Sequence, residues 1–114
     1  MPPQTSPRSG RYGPLVPRRR RFSTESFGPT LERLMQETGV TYRGLADQTN
    51  LSAGYLNHLV HGNRPVPSDD IVRRLAKALK VEPEHFREYR LRLITQRLEE
   101  MPELIDRLYR RLER

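Results

Sequence analysis

The chain has 114 residues and neither cysteine nor tryptophan, a length that suits one domain with appendages and a composition that excludes disulfides, thiolate metal sites and thiol nucleophiles. No run of hydrophobic residues exceeds two, which argues against a membrane span or the apolar segment of a signal peptide and leads us to expect a soluble, cytoplasmic protein. The formal net charge of +7 directs attention to a polyanionic partner.

That charge is unevenly spread. Arg8, Arg11, Arg18, Arg19, Arg20 and Arg21 all precede the first carboxylate, Glu25, so residues 1–24 carry +6 and residues 25–114 carry +1. Residues 1–24 also hold five of the ten prolines, with little beyond Tyr12, Leu15, Val16 and Phe22 that could form a core, and are expected to be a disordered or extended arm. Of the 21 cations 19 are arginine, whose planar fork binds phosphate bidentately and suits a narrow groove. A flexible segment of this length spans roughly 25–30 Å, enough for Arg18–Arg21 to reach a minor groove beside a docked domain. The competing readings are a solvated tail, or upstream sequence that precedes the true start.

From Ser26 onward apolar residues recur at helical spacing. The first predicted helix spans Phe27 to Thr38, with Ser26 as cap, Pro29 tolerated in the first turn, and Leu31, Leu34 and Met35 inward. Gly39 suits the left-handed position that ends it. Thr41 caps a second helix, Tyr42 to Thr49, with Leu45 and Ala46 inward, and Asn50 stops it because asparagine tolerates a left-handed backbone. Ser52 caps a third helix ending at Gly62. The loop Asn63-Arg64-Pro65-Val66-Pro67 forbids helix and leads to Ser68, the next cap. Asp69 and Asp70 favour the first turn of a fourth helix with the stripe Ile71, Val72, Leu75, Ala76 and Leu79, and Lys80 suits its end. Pro83 opens a fifth helix carrying Phe86, Tyr89 and Leu93. Nothing alternates with period two over four residues, so no sheet is expected and the fold class is all-α.

Two short helices joined by Asn50-Leu51-Ser52 meet the requirement of a helix-turn-helix: a left-handed position, an apolar plug and a cap in order. On the third helix Tyr55, Leu56, Leu59 and Val60 fall within an arc of about 140°. Ala53, Gly54, Asn57, His58 and His61 fill the opposite face, with no carboxylate to repel phosphate.

The stretch from Phe27 to Phe86 resembles the Cro/C1-type (XRE) helix-turn-helix family. The resemblance is carried by Thr41-Tyr42-Arg43-Gly44-Leu45-Ala46, Asn50-Leu51-Ser52-Ala53-Gly54-Tyr55-Leu56, His61-Gly62-Asn63-Arg64-Pro65, Pro67-Ser68 and Leu75-Ala76-Lys77-Ala78-Leu79-Lys80-Val81. It implies a five-helix DNA-binding bundle acting as a dimer on a two-fold site. It further implies that Ala53, Gly54, Asn57 and His58 face base edges, and that Tyr42, Arg43, Ser52, Tyr55, His61, Asn63 and Arg64 lie near phosphates. Two departures from the family pattern stand out. Asn50 stands where glycine is common, and Ala53 and Gly54 stand where glutamine, serine or arginine often occur. Alanine can touch at most a thymine methyl and glycine reads nothing, so direct readout falls to Asn57 and His58, an asparagine–adenine pair contributing about 1–3 kcal/mol of discrimination. The expectation is modest specificity, with much of the affinity from phosphates and DNA shape.

Toward the C-terminus Leu91, Ile94, Leu98, Met101, Ile105, Leu108 and Leu112 are spaced alternately three and four apart, a heptad stripe. Pro102 breaks it, which predicts two helices, about 84–100 and 102–113, rather than one. The last has too little neighbouring chain to bury its stripe, so homodimerisation is expected, the alternative being folding back onto the domain's own core. Some actinobacterial members of the family look similar in joining an N-terminal reader to C-terminal dimerisation helices.

Other chemistry finds little support. His58 and His61 are three apart, but no carboxylate is locally placed to complete a metal site, and Glu99, Glu100, Glu103 and Asp106 read as a solvated face. No phosphate-cradling glycine loop, nucleophile elbow or triad appears, so neither enzyme activity, nor a cofactor, nor a small-molecule substrate is expected. The predicted organisation is an arm over 1–24, a DNA-binding domain over 25–82 and dimerisation helices over 83–114. The predicted function is a homodimeric, nucleoid-located regulator or architectural protein on double-stranded DNA. The alternatives are an antitoxin-like or adaptor module using the C-terminal apolar face, and RNA binding through the arm.

Overall fold

The computed structural model describes residues 22–113, among which every regular element is helical. All six arm arginines, including Arg18, Arg19, Arg20 and Arg21, lie outside the described residues. The helices are α1 (Phe27–Thr38), α2 (Tyr42–Thr49), α3 (Ala53–Val60), α4 (Asp69–Ala78), α5 (Arg87–Glu99) and α6 (Pro102–Leu112). A single 3-10 turn, Pro83–His85, precedes α5.

One core holds the first five helices together. Leu31 and Leu34 of α1, Leu45 of α2, Leu56 and Leu59 of α3, Val72 and Leu75 of α4, Leu79 and Phe86 are almost wholly removed from water. Phe86 stacks on Phe27 with ring centroids 4.7 Å apart, so the chain that enters α5 is packed against the start of α1. Gly39 and Asn50 take the left-handed backbone that stops α1 and α2, at φ 74° and 59°. Lys80, expected as a favourable charge at the end of α4, also has positive φ, 63°, and thereby completes the turn out of that helix.

Three local expectations are corrected. Ser26 occupies the N-cap position of α1, but its hydroxyl caps nothing. A cap hydroxyl bonds the amide of the second or third helical residue, and the third here is Pro29, which has none. Glu88 Oε2 of α5 instead accepts from Phe27 N–H at 3.2 Å, so a carboxylate 61 residues away holds this helix end. Ser68 likewise makes no side-chain cap, and Asp69 and Asp70 supply the negative charge that α4 favours at its start. Pro83 opens only the 3-10 turn: Phe86 is extended (φ −83°, ψ 126°) and α5 begins at Arg87. The extended backbone at Phe86 accompanies the complete burial of its ring.

The last residues of the expected arm are docked rather than free. Ser23 N–H donates to His85 O at 3.2 Å, Arg90 Nη2 donates to Ser23 O at 2.8 Å and Arg87 Nη1 donates to Thr24 O at 3.1 Å. Ser23 Oγ also lies 2.6 Å from Thr30 Oγ1, and the Arg90 guanidinium sits 5.2 Å from the centre of the Phe22 ring. Two arginines of α5 therefore fasten residues 22–24 to the body.

At the other end, α6 runs on from α5 through Met101, whose backbone (φ −133°, ψ 69°) breaks the helix before Pro102. No residue of α6 is buried. Leu91 and Ile94 of α5 are 61% and 55% exposed, Leu112 is 83% exposed, and Met101, Ile105 and Leu108 are also open to solvent. Leu98 is half-buried. The stripe predicted from spacing is present and, apart from Leu98, exposed to solvent to different degrees.

Candidate nucleic-acid interface

The α2–turn–α3 unit is set by local capping. Thr41 Oγ1 accepts from Gly44 N–H and Ser52 Oγ accepts from Tyr55 N–H, each at 3.0 Å. Between the helices, Leu51 N–H donates to Ala46 O at 3.1 Å and the Leu51 side chain is half-buried against the core. Leu56, Leu59 and Val60 hold the inner face of α3. The helix ends at Val60, two residues before the expected Gly62; His61 is its C-cap and Gly62 has φ 75°.

The remaining residues of α3 fall on its open side. Gly54, His58 and His61 are exposed, whereas Ala53 and Asn57 are half-buried. Among the described residues the Asn57 amide and the His58 ring have no hydrogen-bond partner, so both are available to a ligand. A Cβ at Gly54 would meet nothing within 4 Å, which makes this position a gap in the outer face. His61 is more constrained. Its Nδ1 lies 2.8 Å from Asn57 O, and a carbonyl can only accept, so Nδ1 carries the proton. Neutral His61 then offers Nε2 as an acceptor, and only the charged ring could donate to a phosphate.

Around this face, Arg43, Ser52, Asn63 and Arg64 are exposed, and the rings of Tyr42 and Tyr55 are half-buried against the core. Arg43 and Arg64 make no ion pair or hydrogen bond among the described residues. They differ in this from Arg33, Arg74, Arg87, Arg90 and Arg92, which are all bonded within the protein. The stripe residues Leu91, Ile94, Leu98, Met101, Ile105, Leu108 and Leu112 belong to α5, α6 and the joint between them, a separate surface.

Three positioning residues escape sequence reasoning. Gly28 permits the backbone of α1 to meet the end of α3: a Cβ there would lie 2.6 Å from Val60 O and 2.9 Å from Leu59 O. Glu88 anchors the first amide of α1, as described above, and its other oxygen, Oε1, is buried without a protein partner beside the cleft that Arg64 also lines. Arg92 reaches the loop after α3. None of these has a local signature, because each partner is more than 20 residues away.

The fold and this exposed, capped second helix define a helix-turn-helix protein. The family model described as a helix-turn-helix domain matches residues 26–89, and the chain belongs to that family, of the Cro/C1 type. It is similar to the HTH-type transcriptional repressor RghR of Bacillus subtilis (strain 168), with 37% identity over 57 residues covering 50% of this chain and 42% of the repressor. The match thus spans less than half of that relative's length. Among solved structures, the biofilm master regulator SinR in complex with DNA superposes with a TM-score of 0.48 at 19% identity, over 50% of this chain and 90% of that one. The clp gene regulator ClgR from Corynebacterium glutamicum gives a TM-score of 0.48 at 26% identity, over 68% and 87% of the two chains. The family is one of DNA-binding transcriptional regulators and not of enzymes. Among the described residues no helix is long and apolar enough to cross a membrane.

Proposed function

We propose that this protein is a homodimeric, sequence-preferring binder of duplex DNA that regulates transcription or organises the nucleoid. The α3 face enters the major groove. The observation that carries this is the outer face of α3: Gly54, Asn57 and His58 stand free of carboxylates, flanked by the unpaired Arg43 and Arg64. Asn57 and His58 read base edges, Ala53 and Gly54 allow close approach, and Tyr42, Arg43, Ser52, Tyr55, Asn63 and Arg64 meet phosphates. His61 joins them when charged. The arm arginines Arg18–Arg21 add backbone or minor-groove contacts and most of the long-range attraction.

The dimer forms through α5 and α6. An isolated helix of about 11 residues is marginal in water, and α6 is that short with nothing buried, so its stripe calls for a partner; the second copy places two reading helices about 34–36 Å apart on one face of the duplex.

Fluorescence anisotropy with a mixed-sequence 30-base-pair duplex tests the reading. Wild type is expected to bind with a steep salt slope, and Asn57→Ala with His58→Ala to erase preference among substituted duplexes. Equal affinity for single-stranded RNA, unchanged by that double substitution, would sink it. Removal of residues 1–21, which spares the docked Phe22–Thr24, is expected to flatten the slope by up to about 5 log units per log unit of salt for each subunit. Sedimentation at several concentrations tests the dimer: a persistent monomer that shifts only with another protein favours the adaptor reading, which the exposed apolar stripe also suits.

A further inference from the structure

The loop from Gly62 to Ser68 presents Asn63 and Arg64 and is seated by buried Pro67 and by Val66 packed on the core, but its backbone has few partners of its own. Pro65 and Pro67 have no amide hydrogen, so these residues cannot build a backbone ladder, and their carbonyls need donors from elsewhere. At the front, Gly62 N–H donates to Leu59 O at 3.2 Å and Asn63 N–H donates to His58 O at 2.9 Å, which ties the loop to the end of α3. At the back, one side chain supplies the donors. Arg92 Nη1 donates to Pro67 O and to Asp69 Oδ1, both at 2.8 Å, and Arg92 Nη2 donates to Val66 O at 3.3 Å. The pair with Asp69 is about two-thirds shielded on both sides, with side-chain exposures of 34% and 31%. A guanidinium can serve three acceptors from one rigid plane, which an ammonium cannot do with the same geometry.

Arg92 belongs to α5, between Leu91 and Leu93. Leu91 and Ile94 face outward on the same helical turn, while Arg92 and Leu93 are half-buried toward the domain. We infer that Arg92 is a positioning residue for DNA binding: it makes the loop bearing Asn63 and Arg64 a rigid extension of α5, so that Arg64 is held at a fixed offset from the apolar face of that helix. This rests on the DNA-binding reading above and adds to it a residue that touches no DNA. Arg92 acts through Arg64.

The inference separates from a merely structural role by a double-substitution cycle. On the mixed-sequence 30-base-pair duplex, Arg64→Ala is expected to lower the salt slope by about one per subunit. Arg92→Gln is expected to weaken binding about tenfold and lower the slope similarly, and in that background Arg64→Ala is expected to change nothing further. Two equal, additive losses would overturn the inference. Arg92→Lys guards against a variant that fails to fold: it keeps the charge, and is expected to leave far-ultraviolet circular dichroism intact while still losing the binding. Amide exchange gives a reading without DNA. The Asn63 amide, which is bonded to His58 O, is expected to exchange at least tenfold faster in both Arg92 variants, with α2 amides as reference. Unchanged loop exchange, in a wild type that binds the duplex, overturns the clamp alone. A wild type that ignores the duplex while its variants loosen the loop overturns the DNA reading and spares the clamp.

Discussion

Helices α4 and α6 are both amphipathic and nearly equal in length, with 10 and 11 residues, but their apolar faces are disposed of in opposite ways. In α4, Val72, Leu75 and Ala76 are completely buried against the other helices. In α6, Ile105, Leu108 and Leu112 also line one helical face, but they stay 40%, 41% and 83% exposed. Full burial of a leucine-sized side chain stabilises by about 1.5–3 kcal/mol, so α4 has drawn that contribution from its own chain and α6 has part of it in reserve. Helical periodicity therefore announces that a face is to be covered. It does not say whether the cover is in the same chain.

The same kind of change in the two regions breaks the comparison most sharply. Leu75→Ala is expected to cost about 2–5 kcal/mol in urea denaturation, the range for truncating a packed core leucine. Leu108→Asp is expected to leave denaturation of the body within about 0.5 kcal/mol at low protein concentration, but to abolish the dimer by sedimentation. It should also remove the dependence of the melting temperature on protein concentration. A loss of several kcal/mol for Leu108→Asp at low concentration would mean that α6 is covered by its own domain after all.

Smaller effects sharpen the boundary between body and surface. Gly28→Ala forces a methyl group into the carbonyls of Leu59 and Val60, and the expected cost is about 1–3 kcal/mol, with weaker duplex binding because α3 must shift. Gly54 is the opposite case, since open space lies beyond its Cα. Gly54→Ala is expected to stabilise by about 0.4–1 kcal/mol through loss of unfolded-chain freedom. A clear destabilisation at position 54 would show that the outer face of α3 is already occupied.

Much of the fold can be read from the chain because its signals are local. Gly39 and Asn50 take the left-handed backbone expected of them, and Thr41 and Ser52 cap through their own hydroxyls, so the end of α1, both ends of α2 and the start of α3 follow from neighbours within four residues. The start of α5 is displaced to Arg87 where tertiary packing intervenes: the burial of Phe86 against Phe27 accompanies an extended backbone that propensity cannot foresee. Ser26 fails as a cap for a mixture of both reasons, a proline at the third helical position and a rival carboxylate from Glu88. The candidate site divides in the same way. The free faces of Asn57 and His58 are legible from the wheel. The tether on His61 is a local bond to Asn57 O four residues back, whereas the contact at Gly28 and the reach of Arg92 depend on which segments fold together, and no spacing in the sequence encodes those two.

The break at Met101 carries a consequence of its own. A straight heptad helix offers one continuous seam, to which almost any other heptad helix in a crowded cell can pair. Here the seam is divided between two axes that change direction at a non-helical residue, so a partner must match a corner as well as a stripe. In the proposed dimer, the proline that shortens this helix would select a partner by shape, without charged residues having to specify the match.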